Sequence, residues 1–168
     1  MANRKLVVEQ ATGAAALSLF IGISVFLAPL KPNIVELQLT FSQAAFQHVI
    51  DLWQAAGVRL FRSHFVADFA LLICYGVNGY LFASRTRLFQ HYSLLARNVV
   101  ILAMPLAAIC DTAENCLHLY FTAPNANPAS SLYPIAGTSA AIKLVLILIY
   151  LITIPWAAVR NRKKCAND

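Results

Sequence analysis

Charge is what this sequence has least of. Only 12% of its 168 residues are Asp, Glu, Lys or Arg, where a soluble domain carries about 25%. With 60% hydrophobic residues and a mean hydropathy of +0.65, the chain has too few solvated side chains to cover a water-facing surface, which excludes a soluble globular protein. Cysteine is scarce as well: Cys74, Cys110 and Cys116 fall in apolar segments and Cys165 in a basic tail. No pair sits in an outer loop, so a disulfide-transferring catalyst is disfavoured and the cysteines inside the apolar segments read as small packing residues. Phosphate-binding glycine loops, haem-attachment motifs, zinc-type Cys/His spacings and Asn-x-Ser/Thr sequons are all missing. The net charge of +6 is not gathered into a recognition motif, which excludes nucleic acid as a partner.

What is present is four long apolar segments, at 11–30, 65–84, 98–121 and 138–159. A helix rises about 1.5 Å per residue and a bilayer core is about 30 Å thick, so each is long enough to cross. The reading is an all-α membrane protein: a single domain over 1–168 with four transmembrane helices and the lipid bilayer as its surroundings. The first segment ends in Ala28-Pro29-Leu30-Lys31-Pro32, a poor cleavage site, and reads as a span and not a signal peptide. Its Ala14, Ser18 and Gly22 form a stripe of small residues suited to close approach of a neighbouring helix. Nine of the 13 Lys and Arg (Arg4, Lys5, Arg85, Arg87, Arg97, Arg160, Arg162, Lys163 and Lys164) lie on one side of these spans, against Lys31, Arg59 and Arg62 on the other. The positive-inside rule then places both termini in the cytoplasm, as in a bacterial inner-membrane protein.

Of the two outer connections, 124–137 is rich in Pro, Asn and Ser and reads as irregular. The other is more than a connector. Thr40-x-x-Gln43 reads as a capping box before an amphipathic helix at about 41–57, with Phe46, Val49, Ile50 and Trp53 on one side and Gln47, His48, Asp51 and Gln54 on the other. Such a helix suits the outer membrane surface, as a cap over the helix ends or a mobile lid.

Ionisable residues inside spans cost about 2.5–3.5 kcal/mol each on insertion scales, yet here they are numerous. The second segment carries Asp68 and Tyr75, with His64 a turn before it; the third carries Asp111, Glu114, Asn115 and His118; the fourth carries Lys143. At about 100° per residue the four polar residues of the third segment fall within an arc of about 100°. Asp68, Asp111, Glu114, His118 and Lys143 all lie in the outer half, which predicts a polar pocket lined by the second, third and fourth helices and roofed by the amphipathic helix. Asp68 and Lys143 enter at similar depth and are expected to pair; Asp111 is expected to be the deepest charge. Three uses fit these residues: a structural network around Lys143, a site that binds protons, a small molecule or a lipid or docks a partner subunit, and an intramembrane enzyme or metal site built on Asp111, Glu114 and His118. No catalytic residue or cofactor is assigned.

Leu39-Thr40-Phe41 followed by Trp53 and Gly57, Asp68 and Tyr75 in the second segment, and Asp111-x-x-Glu114-Asn115 in the third span about half of the chain. In these residues the chain resembles small four-span bacterial membrane proteins with an Asp-x-x-Glu-Asn motif in the third span. The resemblance implies that architecture and brings no activity, cofactor or residue role with it.

Overall fold

In the computed structural model, which describes residues 2–89 and 92–165, the chain forms helices α1 (Ala2–Leu27), α2 (Ile34–Gln38), α3 (Gln43–Ser63), α4 (Phe65–Arg85), α5 (Leu94–Phe121) and α6 (Leu132–Cys165), with a 3₁₀ turn at Arg87–Phe89. Among the described residues there is no strand. Four helices are long and apolar enough to cross a membrane, over Leu6–Leu27, Phe65–Arg85, Leu94–Phe121 and Leu132–Arg160. The chain is therefore built as a multi-pass membrane protein, with ends that differ from the sequence reading. The side chains of Arg4, Lys5, Arg87, Arg162, Lys163, Lys164 and Cys165 lie outside the described ones.

The first span ends earlier than expected, at Leu27, because Pro29 lacks an amide donor and disfavours helical geometry at Ala28. It also begins earlier, which brings Glu9 inside it. The fourth begins six residues earlier than expected, at Leu132. Pro134, expected in the loop, is the third residue of α6, where a missing N–H costs no helical bond. Gly137 is helical too, and a Cβ there would lie 2.5 Å from the Thr40 carbonyl oxygen. Its missing side chain is what lets the α2–α3 connection rest on α6.

The expected capping box at Thr40 does not form. Ser42 caps α3, its Oγ accepting from the Ala45 N–H at 3.2 Å, while the Thr40 hydroxyl donates to the Leu37 carbonyl at 2.7 Å. The box that does form is Asn33 with Glu36, which starts the short α2. Along α3 the apolar face is as expected, with Phe46, Val49 and Trp53 buried and Gln47, His48 and Asp51 exposed. The helix does not end near Gly57. It continues to Ser63, broken by one residue, Gln54, at φ 54°, ψ −177°.

The spanning helices pack in chain order, α1 on α4, α4 on α5 and α5 on α6. Close approach comes from Gly76 and Gly79 of α4: a Cβ at Gly79 would lie 2.4 Å from Met104 Cβ, and one at Gly76 would lie 3.1 Å from Ala108 Cβ. The Ala14–Gly22 stripe of α1 is not used within the chain. Ala14, Ser18 and Gly22 are exposed, and a Cβ at Gly22 would meet nothing; α1 instead approaches α4 through Gly13 against Asn78. Two apolar cores result. One, around Leu37, Phe46, Trp53, Phe61, Phe65 and Tyr133, joins α2 and α3 to the bundle. The other, around Ala83, Phe89, Val100, Ala103, Tyr150 and Ala157, fills the opposite end. A polar layer lies between them.

Candidate functional site

One stripe of α5, spaced by threes and fours, is buried along its length: Val100, Ala103, Ala107, Asp111, Glu114, Asn115 and His118. Val100 and Ala103 pack the core around Ala83 and Tyr150, and the polar half of the stripe makes the site. The early start of α6 explains which residues meet. Lys143 lies eleven residues into α6 and Asp111 ten residues from the end of α5, about 16 Å and 15 Å at 1.5 Å per residue. The two groups are thus at one level. Lys143 Nζ donates to Asp111 Oδ1 at 2.9 Å and lies 2.7 Å from Glu114 Oε2, an ion pair outside hydrogen-bond alignment. The expected partner of Lys143, Asp68, is instead bonded by the Asn115 amide, whose Nδ2 donates to Asp68 Oδ2. Asp111 is not an unpaired charge: its second oxygen accepts from the Tyr75 hydroxyl at 3.1 Å.

The seven residues singled out from the sequence therefore fall into two adjoining sets. Tyr75, Asp111, Lys143 and Glu114 form a chain across α4, α5 and α6, which His118 extends; Asp68 and Asn115 join α4 to α5 beside it. Glu114 is 0% exposed, and its Oε1 faces His118 Nδ1 at 3.7 Å, with neither atom hydrogen-bonded. His64, at the junction of α3 and α4, has its Nδ1 on the Phe61 carbonyl. Burial pushes the His64 imidazole's pKa below its usual value, which favours the neutral ring.

Among the described residues no three His, Cys, Asp or Glu side chains are placed to hold a metal ion. The ammonium of Lys143 takes the place between Asp111 and Glu114 where a cation would sit, so the metal reading of Asp111, Glu114 and His118 does not fit this donor set. Cys74 and Cys110 are half-buried packing residues, whereas Cys116 faces outward.

Three features escaped the sequence reading. His118 is enclosed by aromatic rings, Phe46 at 5.6 Å, Phe61 at 5.9 Å and Phe121 at 6.1 Å between centroids; the apolar face of α3 was legible, but not what it covers. Arg62 Nη1 donates to the Leu119 carbonyl at 2.8 Å and Thr122 Oγ1 at 2.7 Å, fastening the end of α3 to the end of α5. At the far end of the bundle Glu9 Oε2 lies 3.5 Å from Arg85 Nη1, and the Asn78 amide donates to the Glu9 carbonyl at 2.7 Å. Apart from Phe121, one turn from His118 on α5, no sequence spacing signals these contacts, since each joins residues more than fifty positions apart.

No protein-family model, curated protein or solved structure matches the chain.

Proposed function

We propose that this multi-pass membrane protein binds protons at the Asp111–Glu114–His118–Lys143 network, in exchange with the side of the membrane that α2 and α3 cap. The observation that carries the reading is the fully buried Glu114, with one carboxylate oxygen on Lys143 and the other facing an imidazole nitrogen without a hydrogen bond. An acid and a base 3.7 Å apart are spaced to share a proton after a small side-chain adjustment. The charge count supports it: the polar layer holds three carboxylates, Asp68, Asp111 and Glu114, and the single ammonium of Lys143, which pairs with the last two, and uncompensated charge in an apolar interior is strongly unfavourable. Protons are the smallest carriers that balance it.

The nine-to-three distribution of Lys and Arg supports termini in the cytoplasm and the cap on the outer side, and the resemblance to bacterial four-span proteins supports an inner membrane. The test is proton uptake by the purified protein in detergent, read with a pH indicator during titration from alkaline to acid pH. Glu114→Gln should take up about one proton fewer per chain than the wild type. Equal uptake by the two would overturn the reading.

A further inference from the structure

We infer that the first half of α3, residues 43–53, is a sprung gate over this site, pivoting at Gln54. Two observations meet there. Gln54 has φ 54°, ψ −177°, a backbone region that is essentially restricted to glycine and that strains any other residue. On either side of it α3 is helical, so straightening the helix would return Gln54 to ordinary φ and release the strain. The kinked form is also the closed form. In it Phe46, from the first half, lies stacked on His118 and is 2% exposed, among Phe121 and Tyr133.

The two halves are held differently. The second is fastened to the end of α5 by the Arg62 hydrogen bonds to Leu119 and Thr122. The first is held by the burial of Phe46, Val49 and Trp53 and by the Trp53 indole, which donates to the Pro32 carbonyl at 2.7 Å. Straightening about a fixed second half therefore swings Phe46 off His118 and opens the Glu114–His118 pair. At the pivot, a groove of about 500 Å³ lined by Ile50, Asp51, Gln54, Ala55, Val58 and Arg59 leaves the outer flank free to move. Strain at the pivot favours opening and aromatic burial favours closing, so the strain lowers the cost of leaving the closed form.

This inference rests on the proton-binding reading for its purpose, but its test does not measure protons. Val49→Cys is placed in a chain whose four native cysteines are replaced by alanine, and its reaction with a water-soluble maleimide is timed. Val49 is buried in the closed form, so its labelling reports opening; Leu72→Cys, buried in α4, reports global unfolding. Gln54→Gly removes the strain and should slow Val49→Cys labelling about tenfold, while the β-branched Gln54→Ile adds strain and should speed it by a similar factor, with Leu72→Cys unchanged. A merely flexible connection gives the opposite sign, since glycine would then loosen α3. Faster or unchanged labelling in Gln54→Gly would overturn the gate. Should Val49→Cys not fold, amide hydrogen exchange over 43–53 in Gln54→Gly and in the otherwise native chain makes the same comparison. If labelling follows the gate while Glu114→Gln leaves proton uptake unchanged, the proton reading fails alone.

Discussion

Lys143 illustrates how single residues divide the work of this site. Removing it by Lys143→Met leaves Asp111 and Glu114 without their counter-charge, and breaking a buried pair on one side costs about 3–5 kcal/mol. The loss should appear as a lowered melting temperature in detergent. Asp111→Asn alone should also destabilise, because it leaves Lys143 with one carboxylate fewer and weakens the Tyr75 contact. The double variant Asp111→Asn/Lys143→Met should recover part of the sum of the two losses. A cycle of Lys143→Met with Asp68→Asn should show the smaller coupling, since Asp68 is bonded to Asn115 and not to Lys143. Larger coupling to Asp68 would contradict the geometry. The candidate residues themselves were legible because charge inside a span is costly and therefore conspicuous. Their pairing was not, because it depends on depth, and a six-residue error in the start of α6 shifts Lys143 by about 9 Å.

Among the helices, glycine position separates faces that pack from faces that meet lipid. Gly79→Ala puts a Cβ within 2.4 Å of Met104 Cβ and Cγ, and overpacking of this kind costs about 1–3 kcal/mol. Gly22→Ala meets nothing and should be neutral or stabilise α1 by up to about 1 kcal/mol. Thermal unfolding of the two single variants measures the contrast; equal losses would mean that α1 packs through its small-residue stripe after all. Helix existence and period were readable, as the apolar face of α3 shows. Helix ends were less so, because Pro134 is as acceptable in a first turn as in a loop, and because Asn33 and Ser42 supply caps as good as the Thr40–Gln43 pattern.

Over the whole molecule, the orientation proposed from the positive charges is open to direct measurement. In a cysteine-free chain in intact cells, a membrane-impermeant maleimide should label Asn127→Cys at once and Asp168→Cys only after permeabilisation; the reverse order would invert the topology. Composition alone determined the membrane class, the four spans and the presence of a polar layer, because transfer of apolar and charged side chains into a bilayer depends on what each residue is and not on its partners. Only the tertiary structure decided that Lys143 joins Asp111 to Glu114, that Arg62 ties α3 to α5, and that Phe46 closes over His118. These contacts bring together residues between 29 and 72 positions apart in the chain, and the terms that select them, side-chain depth, helix crossing and the strained turn at Gln54, exist only once the helices have packed.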